Sequence, residues 1–417
     1  MNKLDVLRHF LTYRYRSFAS RERLLEWQSV QVSRHLQWVG KHSPFYKGMQ
    51  DKPLDQWPLM NKAVMMSNFD ALNTVGIRKD DAFDFALTSE QSRSFSKTLN
   101  GVAVGLSSGT SGTRGIFLAS SAERALWAGA ILAKLVPDML FKSHRVALFL
   151  RAGNPLYNSV GSRRLAFGYF DLATPVEDQL GELNDLKPDI IIAPGHVLSI
   201  LASLSDSISF RPRRIIACAE VLYDDTRMAI RGAFGVEVEQ IYQCTEGFLA
   251  CHQAGSLRFN EDMVHIEPLW LNDEKTRFQP IVTDFRRTSQ PIIRYQLDDV
   301  IQVKPFDDHP FRPIASIDGR CDDVLDGTGV SDGLPKKIFP DFLVRSILFQ
   351  THVKDFRLVQ ISPLVLRIEA DSDDYIDIKN ALMSFYSCRG YVIPRFDHAP
   401  YYKDALAKLR RVVKVVK

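Results

Sequence analysis

Gly105-Leu106-Ser107-Ser108-Gly109-Thr110-Ser111-Gly112-Thr113-Arg114-Gly115 is dense in glycine and hydroxyl side chains and carries one cation. Such a loop leaves backbone N–H groups free to converge on an anion, with hydroxyl donors beside them. That chemistry suits a polyphosphate. No Lys-Ser/Thr pair closes the loop, so it is not of the GxxxxGK[ST] kind, and no helix opens directly behind it. Ile116-Phe117-Leu118 reads instead as a strand. The next helix starts near Ser120, where Ser120 and Glu123 have capping-box spacing. An isolated Gly/Ser/Thr run is also what a plain surface turn looks like, so the segments around it decide its meaning.

On the C-terminal side, strand-like and helix-like segments alternate. Val146–Leu150, Ile190–Ala193, Arg214–Cys218 and Val236–Tyr242 are short runs rich in β-branched residues, with helix-like Ala122–Leu135 and Val197–Leu204 between them. The alternation predicts an α/β sheet buried on both faces. On the N-terminal side, residues 1–45 read as helical, ending at Ser43-Pro44, and Pro53 and Pro58 punctuate a mixed segment. After Tyr295 the texture changes. The polar, Gly-rich stretch from Gly319 to Gly333 suits a hinge or linker. Two strand candidates come next, Phe356–Ile361 and Leu364–Glu369, then a helix over Asp374–Tyr386 and a strand at Tyr391-Val392-Ile393. The expectation is a large α/β domain over 1–321 and a small α+β domain over 322–417.

The 417 residues suit two or three domains, and 45% apolar with 24% charged is a globular composition. No apolar run reaches the roughly eighteen residues of a membrane span. The first residues have no apolar signal-peptide core, because Arg8, Arg14 and Arg16 recur through them. Five scattered cysteines make no disulfide framework, which points to a reducing cytoplasm. The net charge of +4 is low for this length and no aromatic–basic stripe occurs, so a nucleic-acid partner is poorly supported. The basic tail from Lys408 to Lys417 reads as a solvated terminus or a phosphate contact.

Four more motifs come after the loop in order: Tyr242-Gln243-Cys244-Thr245-Glu246-Gly247, Arg294-Tyr295-Gln296-Leu297-Asp298-Asp299, Gly319-Arg320-Cys321-Asp322-Asp323 and Ala407-Lys408-Leu409-Arg410-Arg411. The ordered set resembles the adenylate-forming superfamily of acyl-CoA synthetases, adenylation domains and luciferases. Within it the likeness is nearest the compact phenylacetate–CoA ligase branch, which Ser43-Pro44-Phe45-Tyr46 and Lys187-Pro188-Asp189 also resemble. The resemblance spans nearly the whole chain.

It implies ATP-dependent conversion of a carboxylic acid to an acyl-adenylate with release of pyrophosphate. The acyl group then passes to a thiol, coenzyme A or a carrier-protein phosphopantetheine. Ser107, Ser108, Gly109, Thr110, Ser111, Gly112, Thr113 and Arg114 would hold the β- and γ-phosphates. Thr245 would contact the α-phosphate, Glu246 would bind Mg²⁺, and Tyr242 with Ala219 and Glu220 would line the adenine. Asp299 would accept the ribose hydroxyls, with Arg320 in support. Asp322 would be the hinge, and Lys408 the catalytic lysine of the small domain. Tyr157, His196 and Ala217 are acyl-pocket candidates by analogy. The implied partners are a small carboxylic acid and, as alternatives, an acyl carrier protein or an amine acceptor. No membrane is implied, and a homodimer is compatible with the reading.

The sequence departs from the family pattern in places. Arg114 stands where Lys is usual, Gln296-Leu297-Asp298 replaces Arg-Thr-Gly, and Ala407 precedes Lys408 where Gly is common. Other readings stay open: a regulatory nucleotide binder without turnover, and activation of an oxyanion other than carboxylate. Glu246 could be a strand-end surface carboxylate, and Asp299 with Arg320 an ordinary surface ion pair. Cys244, Cys251, His252 and His265 could hold a structural metal, although no Cys-x₂-Cys pair occurs among them.

Overall fold

Capping chemistry sets the start of the N-terminal helices. Asn2 accepts from the Leu4 N–H to open Lys3–Tyr15, and Ser20 accepts from the Arg23 N–H to open Arg21–His42. The computed structural model describes residues 2–92, 97–107, 115–150, 164–172, 174–320, 323–353, 355–402 and 410–415, with backbone alone at 341, 345 and 349. The chain forms two compact units that interleave in sequence. The first comprises Met1–Leu269, Pro280–Leu297 and Val303–Ala315; the second comprises Trp270–Gln279, Asp298–Gln302 and Ser316–Lys417. No described helix is long and apolar enough to cross a membrane.

The first unit is built on parallel strands in the spatial order Leu165–Asp171, His144–Leu150, Ile190–Pro194, Arg214–Cys218, Val238–Cys244. Both faces of the central strands are buried, as their unbroken β-branched runs require. On one face Ala147, Phe149, Ile191, Ala193, Ile215 and Ala217 pack against Val197, Leu198 and Leu201 of the helix Gly195–Ser203 and Ile230 and Phe234 of Asp224–Phe234. The sheet continues in antiparallel sense through Gly247–Gln253 and Ser256–Phe259.

Ser120 opens the helix Ser121–Leu135 with both bonds of the expected capping box formed. Val6, Phe10 and Tyr13 are the buried residues of the first helix, which packs on Ser121–Leu135. A Cβ on Gly129 would lie 2.6 Å from both the His9 Cβ and the Val6 carbonyl oxygen, so only a residue without a side chain permits this crossing.

The second unit carries a four-stranded sheet in the order Arg395–Ala399, Val365–Glu369, Arg357–Ser362, Val412–Lys414, with parallel pairing at both outer positions. Two helices, Pro340–Gln350 and Ser372–Cys388, pack against one another. The α/β and α+β character expected from the sequence is therefore observed.

Two local expectations are corrected. The Gly-rich stretch is not an open linker: Leu325–Thr328 pairs with Pro335–Ile338 as an antiparallel hairpin. Gly327 is there for close approach, since a Cβ would lie 2.7 Å from Ile338 Cδ1. Nor do Tyr391–Ile393 form a strand. Tyr391 makes a single bridge to Gly329, and the strand begins after Pro394, which has no N–H to give a ladder.

Replacing Gly129 by alanine should lower the thermal midpoint. Forcing the helices apart costs about 1–3 kcal/mol, against at most about 1 kcal/mol gained in helix propensity. A calorimetric melt unchanged by Gly129→Ala would show that the helices do not press on each other there.

Candidate active site

Ala103–Leu106 and Ile116–Ala119 form the antiparallel hairpin that carries the Gly/Ser/Thr loop. Its tip is closed by Ser107 and Gly115: the Ser107 N–H donates to the Gly115 carbonyl at 2.8 Å, and the Gly115 N–H donates to Ser107 Oγ at 2.8 Å. Ser108, Gly109, Thr110, Ser111, Gly112, Thr113 and Arg114 lie outside the described residues.

Among the described residues, Ile116–Ala119 has a strand on one side only. Side chains occupy its other edge. Gln290 Oε1 accepts from the Leu118 N–H at 2.9 Å, and Gln290 Nε2 donates to the Ile116 carbonyl at 3.0 Å. Arg287 Nη2 donates to the Leu118 carbonyl at 3.1 Å and to Gln290 Oε1 at 3.0 Å. Its Nη1 donates to the carbonyl of Thr245. Arg287 is fully buried, with its guanidinium 5.3 Å from the centre of the Trp127 ring.

The segment bearing Arg287 and Gln290 is held by Glu123. That carboxylate accepts from the N–H groups of Ser120 at 2.7 Å, Thr288 at 2.6 Å and Ser289 at 2.8 Å, and from Ser289 Oγ at 2.5 Å. Burial alone would push its pKa up, but the bonds from Ser289 and Ser120 and the charge of Arg287 outweigh burial and leave it lowered.

Thr245 and Glu246 come directly after Val238–Cys244, at the carboxyl end of a parallel strand, where open α/β sheets place their ligands. Thr245 Oγ1 donates to Glu246 Oε2 at 2.9 Å, and Glu246 is 8% exposed. A single hard carboxylate suits Mg²⁺, which is commonly bound by one or two carboxylates with phosphate oxygens and water. Tyr242, within the same strand, is buried. Gly247 is confined by Asp284: a Cβ would sit 3.1 Å from Asp284 Oδ2. Asp284 Oδ1 accepts from the Arg286 N–H at 2.9 Å, while Oδ2 is buried without a hydrogen-bond partner. Burial pushes this carboxyl up to about 7, opposed by Arg287.

On the adjacent strand, Arg214–Cys218, the same edge carries a second polar group. Ala219 has φ +65°, and the Glu220 N–H donates to the Cys218 carbonyl at 2.8 Å. This is a γ-turn of the strained hand, a conformation concentrated at functional sites. The Glu220 carboxylate accepts from the His196 N–H at 3.2 Å, and both its oxygens lie 2.9 Å from His196 Nδ1. Glu220 thus turns its side chain to the start of the helix Gly195–Ser203, leaving its backbone to continue past the strand end.

In the second unit, Asp299 opens the strand Asp299–Val303. Arg320 Nη2 donates to Asp298 Oδ2 at 2.6 Å, so the guanidinium is tied to the residue immediately before Asp299. Arg410 pairs with Asp323, and Lys414 Nζ lies 2.5 Å from Asp326 Oδ2. Tyr157, Asp322 and Lys408 lie outside the described residues.

The four candidate metal ligands go to separate partners. Cys244 Sγ faces the Gly247 carbonyl and Cys251 Sγ faces Asn260 Oδ1. His252 Nδ1 accepts from the Gln240 N–H, and His265 Nδ1 faces Gln28 Oε1. Burial pushes the Cys251 thiol up to about 12, away from the thiolate a metal needs. Among the described residues no three His, Cys, Asp or Glu side chains are grouped to hold a metal ion. The sequence pattern points to the loop and to Thr245-Glu246 but not to Arg287, Gln290, Asp284 or the bond between His196 and Glu220. The one available signal was the polar run Thr283–Gln290, directly before Pro291-Ile292-Ile293.

No family model matches the chain, and a search of curated proteins finds no match. Solved structures do match in fold. A 2-hydroxyisobutyryl-CoA ligase in the postadenylation state is similar over 93% of this chain and 89% of its own, with TM-score 0.66 and 16% identity. The anthranilate CoA ligase AuaEII, in complex with anthranoyl-AMP, is similar over 74% and 66%, with TM-score 0.52 and 14% identity. ATP-bound MatB from Rhodopseudomonas palustris is similar over 75% and 66%, with TM-score 0.51 and 13% identity. The chain therefore has the fold of adenylate-forming acyl-CoA ligases.

Asp284 gives the stability a pH dependence of definite sign. An unfolded Asp ionises near 3.8, whereas the folded carboxyl holds its proton to about 7. Between about pH 4 and pH 7 the unfolded chain has released a proton that the folded chain retains, so stability falls as pH rises through that window. Asp284→Asn should flatten this fall in a series of thermal melts. An identical pH profile would place the ionised carboxylate in the folded protein.

Proposed function

We propose that this protein activates a carboxylic acid with ATP, releasing pyrophosphate, and passes the acyl group from AMP to a thiol, with coenzyme A the favoured acceptor. One observation carries the reading: Thr245 and Glu246 stand at a parallel strand's carboxyl end, and one guanidinium joins them to the hairpin that bears the Gly/Ser/Thr loop. Transfer of a nucleotidyl group needs reactants held in line and charge neutralised on non-bridging oxygens, more than it needs a nucleophile from the protein. The loop's N–H and hydroxyl groups would bind the β- and γ-phosphates. Thr245 would donate to the α-phosphate, and Glu246 would hold Mg²⁺, whose charge offsets that of the phosphates. The fold likeness to enzymes described with acyl-AMP adducts and coenzyme A supports this order of half-reactions.

The family resemblance extends the proposal to the remaining residues. Ala219, the Glu220 backbone and Tyr242 would face adenine, and Asp299 with Arg320 would hold the ribose. Asp322 would be the hinge of a small domain over 322–417, and Lys408 would neutralise charge as the acyl-adenylate forms. A carrier-protein phosphopantetheine is the alternative acceptor. Pyrophosphate exchange across a panel of acids tests the first half-reaction, and product analysis with and without coenzyme A tests the second. Exchange with no acid in the panel would refute the reading.

Glu246→Gln removes the anionic ligand with little change of shape. Exchange should slow by one to two orders of magnitude, about 1.4–2.8 kcal/mol of transition-state stabilisation. A folded Glu246→Gln protein exchanging at the native rate would take this carboxylate out of the site.

The two C-terminal lysines are expected to separate. Lys408→Ala should abolish adenylation yet spare thiol transfer from supplied acyl-adenylate. Lys414 is bound to Asp326, so Lys414→Ala should lower the melting temperature slightly and leave exchange intact. The opposite pattern would move the catalytic role to Lys414.

A further inference from the structure

The bonds made by Arg287 are unusual in what they join. The outer edge of Ile116–Ala119 exposes backbone groups that a third strand would normally satisfy. Gln290 supplies the donor and acceptor for Ile116 and Leu118, and Arg287 supplies the donor for the Leu118 carbonyl. The same guanidinium bonds the Thr245 carbonyl. Nothing else in this set of bonds reaches both elements, and a planar fork with fixed N–H directions defines their separation more tightly than an ammonium can. The guanidinium has no solvent exposure, lies against Trp127, and is carried on a segment that Glu123 locks through Thr288 and Ser289. Its place is therefore set before any ligand arrives.

We propose that Arg287 is a positioning residue for adenylation: it fixes the distance between the phosphate-loop hairpin and Thr245–Glu246, so that the pyrophosphate leaving group and the α-phosphate are held in register. The proposal rests on the nucleotide reading given above. Arg287 touches no reacting atom in it. Misplacement of reacting groups by about 1 Å can cost on the order of 100-fold in rate. The loss should appear in turnover, because each half of the nucleotide keeps its own contacts.

The test compares the native protein with Arg287→Lys and, as a control for losing a buried guanidinium, Arg258→Lys. Arg258 is 2% exposed and bonded to Asp307 and to the carbonyls of Gln253 and Phe311. Both variants should melt lower. Arg287→Lys should reduce kcat for pyrophosphate exchange about 30- to 100-fold with KM for ATP within about threefold, whereas Arg258→Lys should stay within about twofold in both. The second readout needs no turnover. AMP has no β- or γ-phosphate, so in the native protein any slowing of deuterium uptake that AMP causes in the peptide spanning Ile116–Ala119 is transmitted. That slowing should be present in the native protein and lost in Arg287→Lys, while AMP affinity by calorimetry changes little. Slowing retained in Arg287→Lys, or a defect confined to KM, would overturn the positioning role and leave the nucleotide reading standing. A native protein that binds neither ATP nor AMP would overturn both.

Discussion

The carboxylate of Glu123 is the constraint on which the site is built. It is placed by a helix start that the local sequence dictates, since Ser120 and Glu123 satisfy each other's backbone groups. Its remaining lone pairs then fix Thr288 and Ser289, which belong to a distant part of the chain. A buried carboxylate without partners would be costly by several kcal/mol. With five N–H and O–H donors around it, the charge is satisfied and its orientation is fixed. The positions of Arg287 and Gln290 are set in turn, and through them the hairpin edge and the Thr245 turn.

This arrangement places charges where apolar packing would be easier to achieve. Arg287 and Glu123 are both buried in one unit, and a well-packed apolar substitute for such a group is often no less stable. What the charges provide is direction. A guanidinium bonded to two backbone carbonyls and a side-chain amide specifies orientation as well as contact, which packing of methyl groups does not. The strained turn at Ala219 has the same character. A backbone held at positive φ without glycine is tolerated where its surroundings over-determine it, and Ala219 directly follows the buried end of Arg214–Cys218.

Much of the first unit was legible because its signals are local. Unbroken β-branched runs announced strands buried on both faces, and the spacing of Ser120 and Glu123 announced a helix start. Thr245-Glu246 was singled out by the resemblance of its motif, Tyr242–Gly247, to that of the adenylate-forming superfamily. Arg287 and Gln290 were not legible, since their partners are remote in sequence: Arg287 and Thr245 are separated by 42 positions, Leu118 and Gln290 by 172. A polar residue with a remote partner leaves no periodicity, and reads like any solvated side chain. Gly327 was misread for a different reason. Glycine gives one signal for a hinge and for close packing, and only the neighbouring Ile338 distinguishes them.

The long separation between Leu118 and Gln290 also orders events during synthesis. The hairpin strand leaves the ribosome with one edge unpaired, and its partners are added 172 residues later. At about 5–20 residues per second that interval is on the order of ten seconds or more. Through it the parallel strands from His144 to Cys244 can assemble, each joined to neighbours within one crossover, while the open edge waits. The hairpin Ala103–Ala119 is thus made before the parallel strands and has its outer edge completed after them, and a nascent chain cut short of residue 290 leaves that edge unfinished.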